Sequence, residues 1–540
     1  MVVLTFATDH PTTAIGATVY ELALRRLNRM HAVGCASALT GGKRGLEKES
    51  LRITREGRLA ATPHPRAWGS ALTHPYITTD YSEALPEFIT PAFSKNQEVA
   101  DFLQHIHQFI YQELTPDELL WCASMPCAIR DDQEVPIAQF GHSNIGRMKH
   151  VYRVGLDYRY GRRMQAIAGV HFNYSLPTEF WPQYQALEKD PDSQRAFTDK
   201  SYFSLIRNFR RLGWLVPLLF GTSPVVGSSF LAGRTARFKE FDAHSHYLPH
   251  ATSLRMSDIG YKNKNQAVLQ MSYDNLDNHV ASLTKAIATP YPEYEVIGLY
   301  DGDRRVQLNT NVLQLENEFY SYMRPKRTTH SGEKPTAALR ERGVEYVEMR
   351  ALDVFAFSPT GVALQHMHFL EAFLLLCLLA DSQVIAPEEQ WAIEYNELTI
   401  ALRGREPGLR LIQGGRRVAV TDWASDIFNA MEPLCDVLDS AETGAPYRAA
   451  LDAQRAALHD PALLPSAQIL QRLRGSHQTF YEFALALSAE HAAHFRAHPP
   501  TDSVTGQFRT IAEESLNSQK TLEADESMSF EDYLARYFAG

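Results

Sequence analysis

The 540-residue chain has few cysteines, no long hydrophobic run and no excess of positive charge, and each shortage removes a class of protein. Its five cysteines (Cys35, Cys122, Cys127, Cys377, Cys435) are odd in number and never spaced CxxC, which excludes a disulfide framework and a zinc-ribbon signature. Reduced, mostly buried thiols in a cytoplasmic chain are expected. The strongest apolar runs, 214–220 and 373–380, fall well short of the ~20 residues that a membrane span requires. They read as core. The first residues, MVVLTFATDHPTTA, place no basic stretch ahead of the apolar ones, unlike a secretory signal. With 53 basic against 63 acidic residues and a net charge of −10, neither nucleic acid nor an anionic membrane is recommended as a partner. An anionic substrate therefore requires a locally positive site.

Local catalytic signatures are missing too. The chain has no G-x-x-x-x-G-K-[ST], G-x-G-x-x-G, G-x-S-x-G or HExxH, so P-loop, Rossmann, serine-hydrolase and zincin chemistry lack their usual text. What remains is an ordinary globular composition, 44% hydrophobic and 21% charged, on a chain long enough for roughly three or four average domains. Residues 1–43 form a lead-in, with an amphipathic helix around 20–30 and a turn at Gly41-Gly42. Between 44 and 360 short strand-like runs alternate with helical ones such as 98–114, and from 361 to 540 helical periodicity dominates, notably over 366–379 and 476–498. The expected fold is α/β (α+β), with a helical C-terminal region packed on a catalytic core.

Within that core, polar side chains recur in pairs two residues apart on otherwise apolar runs. Residues two apart on a strand share a face, so Glu47 with Glu49, His171 with Asn173, and Glu348 with Arg350 each project together. Grouped carboxylates repel and are costly to desolvate, which makes metal cations or a phosphorylated substrate their natural partners. The bland alternative for RGLEKESLR (44–52) is an exposed edge strand. AIAGVHFNYSLP (166–177), flanked by apolar residues, reads as a central strand. In ITTDYSEALPEFITP (77–91), Asp80, Glu83 and Glu87 form a helical stripe unless Pro86 breaks it and Glu87 starts a strand with Ile89. Glu348 and Arg350 either pair with each other or divide the work, one holding a cation and the other a phosphate in its planar fork. Arg153, Arg255 and the cluster Arg324, Lys326, Arg327 are further cations. Oxygen-rich strands without a glycine cradle suit a carboxylate-held Mg²⁺.

RGLEKESLR, GSALTHPYITTDYSEALPEFITP, GVHFNYSLP, YLPHATSLRMSDIGY, LNTNVLQLENEFYSYMRPKR and VEYVEMRALDVFAFSP, running in order over residues 44–359, resemble successive blocks of the bacterial glutamate-cysteine ligases. The resemblance implies a fold related to glutamine synthetase, in which a curved, mainly antiparallel sheet surrounded by helices forms an active-site funnel. It implies two or three Mg²⁺ ions, with Mn²⁺ as the alternative, between that sheet and ATP as co-substrate, at ligand positions Glu47, Glu49, Asp80, Glu87, His171 and Glu348, with Glu83 a weaker candidate. By the same carry-over, Arg255 and Tyr320 recognise glutamate, Tyr152, Gln165 and Tyr261 line the cysteine side, Arg153 adds an anion contact, and Arg350 sits by the transferred phosphate. Arg350, Glu49 and Arg255 are the catalytic candidates.

The implied reaction is phosphorylation of the glutamate side-chain carboxylate by ATP, then attack by the cysteine amine, the first step of glutathione synthesis, with small molecules as the only partners; the sequence leaves the oligomeric state open, with a monomer as the candidate. The same chemistry with another small amino acid as acceptor is one alternative. A carboxylate-dependent hydrolase such as a glycosidase is another, and a protein that binds Mg²⁺ only structurally is a third. Pro86 and the Phe355-Ala356 dipeptide depart from the family's text, and the first puts the geometry of Glu87 at issue.

Overall fold

A computed structural model describes residues 15–233, 235–260, 269, 271–330, 332–524 and 527–539. At its centre is a sheet of six strands: β1 (Lys43–Glu49), β2 (Ile77–Thr79), β3 (Pro86–Ile89), β4 (Gly169–Ser175), β5 (Met323–Lys326) and β6 (Tyr346–Asp353). They lie in the order β5-β6-β4-β1-β3-β2, every pairing is antiparallel, and the sheet is open. RGLEKESLR is thus an interior strand, not an edge.

Alternation explains why β4 and β1 stand at the centre. Val170, Phe172 and Tyr174 are fully buried on the back face, where aromatic and β-branched side chains pack well, while His171 and Asn173 turn to the front. On β1, Leu46 and Lys48 are buried behind Glu47 and Glu49. Lys48 is unusual there. Burial pushes its amine down to about 7, its Nζ lies 3.2 Å from His107 Nε2, and it sits over the Phe88 ring. The expected stripe of Asp80, Glu83 and Glu87 on a helix does not form. Pro86 instead begins β3, where its missing N–H costs little, and Glu87 follows it in the strand.

Helix Asn96–Glu113 packs on β1 and β3, while helices Gln194–Leu212 and Leu215–Phe220 pack on the β5 and β6 side. The helix Asn144–Tyr160, started by Ser143 Oγ accepting from Gly146 N, carries Tyr152 and Arg153. Beyond residue 361 the chain is mostly helical, interrupted by the hairpin Arg410–Gln413/Arg416–Ala419. Helix Leu364–Leu379 is apolar all round and therefore central, packing against Ile15–Ala32, Gln194–Leu212, Val420–Asp439 and Pro446–His459. All five cysteines are free and buried, as expected. Among the described residues, no helix is long and apolar enough to cross a membrane.

One ion pair ties the sheet to that central helix. Glu371, fully buried in an apolar helix, needs a counter-charge, and Arg44 of β1 supplies it through Nη2. Asn96 Nδ2 (3.0 Å) and Tyr447 OH (2.6 Å) donate to its other oxygen. Removing one partner strands a buried charge, so Glu371→Ala should cost about 3–5 kcal/mol, read as a lower urea midpoint. Arg44→Met with Glu371→Leu should recover most of the loss. An unchanged midpoint in the single variant contradicts this role.

Candidate functional site

Register assembles the front face. Glu47 pairs with His171, Glu49 with Glu87, Asn173 with Glu348, and Glu348 with Arg324, so residues facing one another across four junctions share one side of the sheet. Two groups result. Ligand atoms of Glu47, His171 and Glu348 lie within 4.8 Å of one another, as do those of Glu49, Glu87 and His171. His171 stands between them, Nδ1 3.0 Å from Glu47 Oε2 and Nε2 3.7 Å from Glu49 Oε1. Asn173, whose role the sequence leaves open, donates from Nδ2 to Glu47 Oε1 at 2.9 Å. A set of carboxylate oxygens with a single imidazole nitrogen fits a hard divalent cation.

The electrostatics divide the face in two. Burial, then the nearby Asp80 charge, pushes Glu49 up to about 8, although Gly169 N donates to its Oε2 at 2.6 Å. Glu87 is raised well above the carboxylate range by burial and by Glu47, Asp80 and Glu49. Around Glu348 the balance reverses: burial opposes ionisation, but Lys326, Arg350 and Arg324 outweigh it and hold the group well below the usual range. Lys326 Nζ lies 3.2 Å and Arg350 Nη1 3.3 Å from Glu348. Glu348 and Arg350 therefore do pair. Burial and Arg350 also lower His171, which favours the neutral imidazole that a metal ligand must be.

The other sequence candidates fall around this face. Asp80 belongs to neither group of converging atoms but acts on Glu49 and Glu87 through its charge, and its carbonyl accepts from Arg153 Nε. Arg153 also lies over the Phe140 ring. Glu83 is no ligand candidate: its carboxylate accepts from the backbone N–H groups of His64 and Gln139 and so clamps two loops. Tyr320 lies beside Arg350, 5.9 Å from guanidinium carbon to ring centre, and its hydroxyl donates to Met256 Sδ. Arg255 reaches Arg350 O from Nη2 at 3.0 Å. Tyr152 is partly buried on its helix, and Gln165 is buried in the turn Met164–Ala166. Tyr261 lies outside the described residues. Lys326 and Arg324 carry more of the charge balance than the sequence suggested, since only the β5–β6 pairing sets Arg324 opposite Glu348 and brings Lys326, opposite Tyr346, within reach of it.

A family model described as glutamate-cysteine ligase matches residues 27–400. A glutamate-cysteine ligase of Alcanivorax borkumensis is 48% identical over 518 residues, covering 94% of this chain and 98% of that protein. One from Pseudomonas paraeruginosa is 47% identical over 519 residues, with 96% and 98% covered. The crystal structure of the Francisella tularensis glutamate-cysteine ligase in complex with AMP superposes with a TM-score of 0.88 at 33% identity, covering 93% of this chain and 98% of that one. A bifunctional glutathione synthetase from Pasteurella multocida shares the fold, with a TM-score of 0.72 at 22% identity, covering 91% of this chain and 58% of that one.

The raised value of Glu49 predicts a pH dependence. Protonated Glu49 favours the folded, metal-free protein, so its contribution is complete below the ordinary 4.5 and is lost as pH rises through about 8. A divalent cation requires the ionised form and offsets that loss. Thermal stabilisation by Mg²⁺ should therefore be larger at about pH 8.5 than at about pH 6, and smaller at both in Glu49→Gln. Equal stabilisation at the two pH values contradicts the assignment.

Proposed function

The chain belongs to the glutamate-cysteine ligase family, and from that premise we propose that it joins the γ-carboxylate of glutamate to the amine of cysteine in a reaction driven by ATP. The observation that carries this reading is the pair of ligand groups on one sheet face, flanked by Arg255 and Arg350 inside the region that the family model covers. A glycosidase would need two carboxyl groups as acid and nucleophile but would leave both arginines without work.

In this reading Glu47, Glu49, Glu87, His171 and Glu348 would hold two or three Mg²⁺ ions, with Asp80, whose charge acts on Glu49 and Glu87, as a further candidate. Ions held there would supply charge neutralisation of the ATP phosphates during phosphoryl transfer. His171 has a single lone pair to give when neutral. Its shorter contact, to Glu47, suits Nδ1–H as donor, which leaves Nε2 to face the group of Glu49 and Glu87.

Arg350, which also contacts Glu348, would present its fork to the phosphoryl oxygens and stabilise the charge that builds there during transfer. Arg255 and Tyr320 hold glutamate so that its γ-carboxylate oxygen lies in line with the phosphorus. The product, γ-glutamyl phosphate, carries a competent leaving group. Tyr152 and Gln165, with Tyr261 by the family resemblance, would line the cysteine side and Arg153 would add an anion contact, and the cysteine amine attacks the acyl carbon. The carbon–nitrogen bond forms, phosphate departs, and the amine loses its proton. No side chain is acylated, which agrees with the absence of a nucleophile motif. Residues 44–360 carry all of these groups, and 361–540 brace them from behind.

The test is incubation with ATP, Mg²⁺, glutamate and cysteine, following phosphate release and product mass together. Phosphate should appear in step with γ-glutamylcysteine, and Arg350→Ala should lower kcat by about 100- to 1,000-fold. Phosphate release without a γ-glutamyl product, or no turnover with any amine, would refute the reading.

A further inference from the structure

Arg255 is confined more tightly than any other cation of the site. Its guanidinium passes directly over Gly169, where an added Cβ would come within 2.0 Å of Nη2, 2.6 Å of Cζ and 2.8 Å of Nε. At its own backbone, a Cβ on Gly260 would come within 1.7 Å of Arg255 O. Across from Gly169 stands Asp353, with Oδ1 3.9 Å from Nη1. That carboxylate is itself fixed by Thr222 N (2.8 Å), Ser223 Oγ (2.6 Å) and Ser253 Oγ (2.8 Å).

A β-bulge makes this arrangement possible. The β6–β4 register slips by one residue between Met349 and Leu352, so that Asp353 faces Gly169 and lies on the front side with Glu348 and Arg350. Simple alternation would put it on the back. Within this frame Arg255 donates from Nη2 to Arg350 O and from Nη1 to Met256 Sδ, a weak acceptor, while its buried Nε meets no acceptor. Its fork is thus held in one plane with donors left over for a ligand.

We propose that Gly169 and Asp353 are positioning residues that lock the Arg255 fork in the orientation that selects an α-amino dicarboxylate as the acyl substrate. The proposal rests on the reading of Arg255 as a glutamate contact. Gly169 works by leaving room: its N–H also holds Glu49, and alanine keeps that N–H, so Gly169→Ala changes the space over which Arg255 lies and nothing on the metal side. Asp353 works by charge and by its fixed place among three donors.

The experiment is a double-mutant cycle read by steady-state kinetics. Gly169→Ala should raise the KM for glutamate at least tenfold and leave the KM for ATP within twofold. In an Arg255→Ala background, where no guanidinium remains for the Cβ to strike, the same change should add little. Asp353→Asn should shift the glutamate KM in the same selective way. The crystal structure of Gly169→Ala should show Arg255 displaced, and that displacement decides the matter if activity is too low to measure. If Gly169→Ala fails to fold, the Asp353→Asn cycle decides.

An unchanged glutamate KM, an equal factor in both backgrounds, or an undisplaced Arg255 would overturn the proposal. Wild-type protein whose ATP turnover does not depend on glutamate would instead overturn the functional reading. Glutamate-dependent turnover with additive variants would overturn the cradle alone.

Discussion

Carboxylates held together on one face of a sheet are the constraint on which the rest of the structure depends. Two ionised groups 4.8 Å apart repel by about 3–4 kcal/mol at the effective dielectric of a partly buried site, and three glutamates and one histidine lie in two such groups with a fourth glutamate. The chain meets this cost in two ways. At the group of Glu49 and Glu87 the charge is suppressed, and at Glu348 it is matched by Lys326, Arg350 and Arg324. In the proposed reading, a cation entering the first group would displace protons and one entering the second would free Arg350.

Such a face needs a rigid backing. Val170, Phe172 and Tyr174 are fully buried behind His171 and Asn173, and Arg44 anchors the start of β1 to Glu371 in the central apolar helix Leu364–Leu379. Loops are fixed with equal economy: the Glu83 carboxylate clamps the His64 and Gln139 backbones beside the turn that presents Asp80. A carboxylate that looked like a metal ligand thus serves the scaffold of its neighbours. Asp353 shows the same division, set deep behind Arg255 and held by three donors.

What could be read from the sequence follows from strand parity. The pairs at 47/49, 171/173 and 348/350 announced a shared polar face because the period of a strand is two residues, and regular alternation survives folding wherever the ladder is regular. It fails at the bulge between Met349 and Leu352, which turns Asp353 to the front and leaves no mark in the text. Spacing likewise could not decide between helix and strand for Asp80, Glu83 and Glu87, since three and four residues suit a helix while Pro86 suits the start of a strand. Lys326 and Arg324 were visible only as basic residues, because their closeness to Glu348 is a property of register between distant segments. The helical regions were legible by period, whereas the single glutamate inside helix Leu364–Leu379 gained meaning only when Arg44 was found against it.

The central claim is that this sheet face holds divalent cations through Glu47, Glu49, Glu87, His171 and Glu348. Anomalous diffraction from crystals grown with Mn²⁺ tests it most directly. The account predicts one peak between Glu49, Glu87 and His171 and another between Glu47 and Glu348, with Arg350 drawn away from Glu348. Peaks confined to other acidic residues, or an Arg350–Glu348 pair that persists beside an empty face at saturating Mn²⁺, would contradict it.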